Sequence, residues 1–452
     1  MLDSLWGEEF KVDDTKAKTK KTIKKITLST SSSVDITKAV KSKSIDVKEK
    51  LILVKDKVLS TLGKQINNVR TIYSKDELHE YLQKGLKFGR ITIDTETNNS
   101  LDPITCKLMG LCLYVKGEKQ VYVPINHINI DTKERLSNQL TEQDIHNELQ
   151  WLIDNKTDCK FILHNGKFDY QVLKCTCGVI CPIDWDTMIG AKLLDENEKS
   201  VGLKQQYIKK IDSEQTKYDI ESLFEHLPYE LVNPELFALY AATDAMMTDK
   251  LYEWQMKQFE NDKSLNDVYN LAVSLEMPVI KVFAEMELNG ITFDIEFAKK
   301  LGKKYHTKLD EIDKEINQEL INIKPLIDYW RESKEANIAT KTSSGRLGKT
   351  KNEQLTEPIN LSSPLQLSIL FYDILKVKQV SKDAPRGTGE EILEKLDLPL
   401  AKLLLKRRGV EKLINAFIDT LPKQVNVDGK IHCHFNQYGA QTGRTSSSDP
   451  NL

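Results

Sequence analysis

The sequence predicts an α/β domain followed by a mainly α-helical region. Three observations carry this. From about Thr71 to Asn261, short apolar β-prone runs alternate with helical periodicity, as in a mixed sheet with helices packed around it. From about Ser264 onward strand signals vanish and long amphipathic segments take over. In the last stretch helical periodicity is lost, and Ile431-His432-Cys433-His434-Phe435 alternates like a strand.

Residues 1–70 are rich in Lys, Thr and Ser and carry 16 basic against 9 acidic side chains, a net +7. They form a basic extension expected to be disordered, most clearly from Lys16 to Lys50. Trp6 and Phe10, in Ser4-Leu5-Trp6-Gly7-Glu8-Glu9-Phe10, read either as a short partner-binding motif or as a frayed tail. Ile91–Asp94, Leu108–Val115, Gln120–Pro124 and Phe161–Leu163 read as strands. Glu142–Ile153, Asp186–Leu194 and Pro234–Phe259 read as helices, the last with Pro in its first turn. Val268–Leu288 and Asp294–Leu320 are long amphipathic helices joined by the turn Asn289-Gly290. The polar stretch 335–357 reads as a flexible insertion, with Lys341, Arg346, Lys349 and Lys351 facing either phosphates or solvent. Gln366–Leu375 and Leu398–Leu421 resume helix.

Composition is that of a soluble globular protein, 40% hydrophobic and 29% charged. No apolar run is long enough to cross a bilayer, and the N-terminus lacks the order of a signal peptide. A cytosolic location is expected. Seven cysteines are an odd number in a long chain and argue against a disulfide framework. Cys175, Cys177 and Cys181 lie close together, but zinc would need a fourth ligand; reduced thiols are expected. The net charge of −2 rules out a global basic field, so any nucleic-acid affinity must come from local patches and bound cations.

Four acids and a tyrosine recur in three short segments: Ile93-Asp94-Thr95-Glu96-Thr97, Asn165-Gly166-Lys167-Phe168-Asp169 and Tyr240-Ala241-Ala242-Thr243-Asp244. Asp94 and Glu96 stand at i and i+2 of a strand and share a face. Tyr240 and Asp244 stand at i and i+4 of a helix and share a face. Asp169 follows the strand Phe161–Leu163. Each segment alone has a bland reading: a solvated strand end, a helix N-cap with a buried Phe, a chance helical spacing. Together, converging acids without matching bases require cations. Hard divalent ions accept oxygen ligands, and two of them can clamp the attacking and leaving oxygens of a phosphodiester.

These segments resemble the 3′–5′ proofreading exonuclease, of the four-carboxylate-plus-tyrosine class, found in family A DNA polymerases. The resemblance continues through Glu276-Met277-Pro278, Val282-Phe283-Ala284-Glu285-Met286-Glu287 and Asn289-Gly290-Ile291, similar to the approach to the polymerase thumb. Asn360-Leu361-Ser362-Ser363-Pro364-Leu365-Gln366-Leu367 is similar to the family's Asn-x-x-Ser-Pro-x-Gln-Leu. Gly429-Lys430-Ile431-His432, Thr442-Gly443-Arg444 and Ser446-Ser447-Ser448-Asp449-Pro450-Asn451-Leu452 resemble the first palm segment. The resemblance implies an RNase H-like sheet of about five strands at 71–262, a thumb at 263–428 and the beginning of a palm at 429–452. The family's later palm and fingers motifs do not occur in the chain, so polymerase activity is expected to need a further C-terminal polymerase part.

By the same resemblance, Asp94, Glu96, Asp169 and Asp244 would hold two Mg²⁺ or Mn²⁺ ions, and Tyr240 would orient the attacking water. Leu101, Asn165 and Phe168 would meet the single-stranded 3′ end. Thr442 and Arg444, with Lys406 and Arg407 on the thumb, would contact the primer-template duplex. Two other readings remain open at this point: a free-standing exonuclease acting on RNA, and a silent DNA-binding scaffold.

Overall fold

A computed structural model of the chain describes residues 46–213, 224, 227–341, 344–440 and 442–451. The motif at Trp6 and Phe10 and the tract from Lys16 to residue 45 lie outside the described residues. The chain divides into two compact units: residues up to 289 together with 433–452, and residues 290–432.

The first unit is built on a six-stranded mixed sheet of order β1-β4-β3-β2-β5-β6. Its strands are β1 (Val69–Thr71), β2 (Arg90–Thr97), β3 (Leu108–Tyr114), β4 (Gln120–Pro124), β5 (Lys160–Leu163) and β6 (Trp185–Asp186). The sixth strand, beyond the five expected, is the two-residue edge β6. β2 lies inside the sheet because it is apolar on both sides; Ile91, Thr92 and Ile93 are fully buried. It pairs antiparallel with β3, setting Asp94 opposite Cys112 and Glu96 opposite Gly110, and parallel with β5. The register slips between Glu96 and Thr97, so pairing ends next to the acids.

The helices start where the sequence supplies caps. Ser74 caps α2 (Lys75–Phe88). Thr141 and Asp144 form a reciprocal capping box on α3 (Glu142–Asp154). Asn233 caps the 28-residue α7 (Pro234–Asn261), with Pro234 in its first turn. Between them lie α4 (Gly166–Cys177), α5 (Thr187–Leu194) and α6 (Leu203–Lys210).

Three expectations are corrected in this unit. The basic extension is helical over α1 (Val47–Leu62). Leu51, Val54, Val58 and Leu62 recur at helical spacing and join a core with Tyr122, Phe224 and Phe237; the lysines between them masked this face in the composition. The helix expected over Val268–Leu288 widens to a π-turn at Ala272–Glu276 before α8 (Met277–Asn289). Pro278 has no N–H to offer the preceding turn. α8 packs on α4 inside this unit. The strand expected over 431–435 is two short strands that belong to different units. Ile431 pairs with Ile291, whereas Phe435 pairs with Ser447 in the hairpin of β11 (His434–Asn436) and β12 (Ser446–Ser448).

The second unit is helical, around α9 (Ile295–Asn322) and α10 (Pro399–Leu413). They share a core with Trp330, Phe371 and Leu393. β7 (Ile291–Thr292) and β10 (Lys430–Ile431) close its ends together. Gly290 is required there: its φ is +59°, and a Cβ would fall 2.6 Å from the His432 ring. The stretch 335–357 is a hairpin, β8 (Ala339–Lys341) with β9 (Leu347–Thr350), followed by a capped turn. Lys351 is bound 3.1 Å from Asp373 and is not an open cation. The Asn-x-x-Ser-Pro-x-Gln-Leu segment proves to be a folding element. Ser363 caps the helix that Pro364 begins, and Gln366 Oε1 accepts from the Asn360 N–H at 2.8 Å and from Thr356 Oγ1 at 3.0 Å. All seven cysteines are free thiols.

Val54→Ala and Val58→Ala are each expected to lower unfolding stability by about 1–2 kcal/mol, from lost apolar burial and the cavity left behind. Urea denaturation checks this; an extension that packs on nothing would show no change.

Candidate active site

The site is assembled on β2, α4 and α7, and the placement of α7 decides it. At the start of β2 the Arg90 guanidinium donates to both carboxylate oxygens of Asp249, at 2.7 and 3.2 Å, and to Glu253 at 2.6 Å. Gln255, on the same helix, accepts from Trp185 Nε1 and donates to the Thr187 carbonyl. Gly190 permits this contact, since a Cβ would stand 2.5 Å from Gln255 Oε1. Pinned in this way, α7 brings Asp244 close enough to β2 for its charge to act on Asp94.

Asp169 sits in the first turn of α4. Its Oδ1 accepts from the Thr95 N–H at 2.8 Å and from Thr95 Oγ1 at 2.6 Å, so it reaches the strand between the other two acids. Asp186 shapes the turn that precedes it. This fully buried carboxylate accepts from the N–H groups of Asn165, Gly166, Met188 and Ile189. Asn165 stands at the N-cap position with φ +59° and makes no side-chain cap bond. His164 is the packed histidine expected, 2.8 Å from Thr187 Oγ1. Burial lowers its pKa to about 4 and holds it neutral.

Electrostatically the site is dominated by negative charge, with Lys204 acting against it. Asp94 has its pKa raised well above the usual carboxylate value, by burial first and then by the charges of Asp169, Glu96 and Asp244; Lys204 pulls the other way. Asp169 is also raised by burial, against the two hydrogen bonds from Thr95. Asp94, Glu96 and Cys112 offer ligand atoms that all lie within 4.8 Å of one another. The donors are mainly carboxylate oxygens whose charge burial makes costly, which suits a hard divalent ion. Tyr240 stacks on Phe224 at 5.1 Å and lies edge-on to Phe237. Lys204 of α6 was not foreseen from the sequence. Its Nζ is 3.4 Å from Asp244 Oδ2 and 4.8 Å from the Tyr240 ring centre. No local pattern marks it, because α6 is placed only by tertiary packing.

A sequence profile described as 3′–5′ exonuclease matches residues 69–259, and one described as DNA polymerase family A matches residues 331–452. Both profiles place the chain among proteins similar to family A DNA polymerases and their 3′–5′ exonuclease. DNA polymerase I of Chloroflexus aurantiacus is 28% identical over 372 residues, covering 79% of this chain and 34% of the relative. The DNA polymerase of Bacillus phage SP01 is 24% identical over 417 residues, covering 83% of this chain and 44% of the relative. The chain spans 34% and 44% of the length of these two relatives. The solved POL domain of Pol1 from M. smegmatis, in complex with a DNA primer-template and dNTP, shares the fold with a TM-score of 0.59 at 19% identity, over 85% of this chain and 55% of that one.

The expected DNA-contacting residues are placed unevenly. Leu101 is 80% exposed in the loop after β2. Phe168 is half-buried and packs on the sheet core. Thr442 and Arg444 are exposed between β11 and β12, and Lys406 is exposed on α10. Arg407 departs from expectation. It donates to Asp313 at 2.7 Å and to Glu411 at 2.5 Å, so it is an internal ion pair of the helical unit. Lys167, inside the second acidic segment, is likewise committed to Glu287 at 2.5 Å. Among the described residues no helix is long and apolar enough to cross a membrane.

Asp94→Asn removes one charge from the crowded site and is expected to raise the melting temperature of the metal-free protein at pH 8, by about 1–2 °C for each kcal/mol of repulsion relieved. A carboxyl with a raised folded pKa binds a proton more tightly in the folded state. Its cost is therefore present at high pH and fades as pH falls through the folded value. The advantage of Asp94→Asn should shrink from pH 8 toward pH 5. Calorimetry in EDTA checks both signs.

Proposed function

We propose that this chain carries the proofreading 3′–5′ exonuclease of a family A DNA polymerase, working with two Mg²⁺ or Mn²⁺ ions on the single-stranded 3′ end of DNA. The convergence of Asp94, Glu96, Asp169 and Asp244 from three elements, with the charges of the other three acting on Asp94, carries this reading. Asp94, Glu96, Asp169 and Asp244 would hold the two ions, which when bound would supply Lewis acidity to the hydrolysis. The water oxygen bonds to phosphorus as the phosphorus–O3′ bond breaks; the leaving O3′ takes up a proton from solvent to become the 3′-hydroxyl of the shortened strand, and a nucleoside 5′-monophosphate is released.

The Tyr240 hydroxyl orients the attacking water, aided by Glu96. A phenol with a pKa near 10 is a poor base at neutral pH, and its stacking on Phe224 and edge-on contact with Phe237 suit positioning. Leu101 and Phe168 pack against the terminal base and ribose, and Asn165 hydrogen-bonds beside them. Selection of mismatches comes from the easier melting of a mispaired end, not from reading base edges. Thr442, Arg444 and Lys406 supply contacts to the primer-template duplex; Arg407 is left out because it is ion-paired within the fold. Synthesis belongs to the full polymerase, in DNA replication or repair in the cytosol, with a C-terminal polymerase part as partner. The match of residues 331–452 to the polymerase family favours this over an exonuclease acting on RNA.

A 3′-end-labelled single-stranded DNA tests the reading. Mg²⁺-dependent mononucleotide release is expected from the intact chain, none from Asp94→Ala with Glu96→Ala, and about 10²-fold less from Tyr240→Phe. Equal release by the double variant would overturn it.

A further inference from the structure

We infer that Lys204 is a resident counter-cation of the exonuclease site: its ammonium holds Asp244 when no divalent ion is bound and competes with the ions for that carboxylate. The inference rests on the metal-dependent reading above.

Three observations lead to it. Lys204 Nζ lies 3.4 Å from Asp244 Oδ2, with both side chains largely sheltered. The ammonium also lies 4.8 Å from the centre of the Tyr240 ring, within cation–π reach. And α6 is anchored so that this lysine is aimed inward. Gln206 donates to the Ser200 carbonyl at 2.5 Å, Lys209 pairs with Glu198 at 2.6 Å, and the Tyr207 hydroxyl meets Lys250 of α7 at 3.2 Å.

The consequence follows from Coulomb's law in a poorly solvated site. Four carboxylates repel one another in the metal-free protein, and one ammonium at Asp244 relieves part of that repulsion. A divalent ion must displace the ammonium or accept its repulsion, so the lysine weakens metal binding while it stabilises the empty site. It would also limit occupation of the site to conditions in which divalent ions are plentiful. A lysine that served only to hold α6 in place would have the opposite effect on removal, because a loosened site binds metal less well.

The experiment is a Mn²⁺ titration of the intact chain by calorimetry and by electron paramagnetic resonance of the free ion. It compares the natural protein with Lys204→Met, Lys204→Gln, Lys204→Arg, and Asp94→Ala with Glu96→Ala. Lys204→Met and Lys204→Gln are expected to bind Mn²⁺ about tenfold more tightly, Lys204→Arg to stay near the natural value, and the double acid variant to lose saturable binding. The melting temperature gained on adding Mn²⁺ should be larger for Lys204→Met than for the natural protein. Equal or weaker Mn²⁺ binding by both neutral variants, beside a natural protein that binds, would overturn the role of Lys204 and leave the metal site standing. Absence of saturable binding in the natural protein would overturn both.

Discussion

Like-charge repulsion is the constraint around which the first unit is organised. Asp94, Glu96, Asp169 and Asp244 come from a strand, a helix start and a long helix, and nothing local to any of them favours their meeting. Their approach raises the pKa of Asp94 and has to be offset by the surrounding fold. The core beneath the sheet supplies the apolar burial, with Ile91, Ile93, Leu111 and Phe161 among its members. Thr95 gives Asp169 two hydrogen bonds, and Lys204 gives Asp244 a nearby positive charge. A site held in this way carries a cost in stability that the surrounding fold has to offset.

The same constraint explains why the buried polar contacts cluster at the edges of the site. Arg90 with Asp249 and Glu253, Trp185 with Gln255, and Asp186 with four backbone N–H groups fix the elements that carry the acids without contributing ligands. Buried groups of this kind are costly when unpaired, so each arrangement is specific. Glu287 plays a comparable part farther along the first unit. It accepts from Lys167, Gln171 and the Phe435 N–H, tying α8 and the final segment to α4. That is why 263–289 and 433–452 fold with the first unit, although their sequences resemble the thumb and palm.

The sequence by itself determined the α/β-then-helical order, the strands around the first acidic segment, the helix starts at Glu142 and Pro234, and the acidic segments as candidates. These are local properties: side-chain period, capping chemistry and short motifs read the same in any context. Tertiary structure alone decided the rest. A lysine-rich composition concealed the buried face of α1, because burial depends on what the helix packs against. Only the fold distinguished Arg407, enclosed by Asp313 and Glu411, from the exposed Lys406 beside it. Lys204 entered the site because α6 packs on α7, a long-range contact that no local spacing encodes.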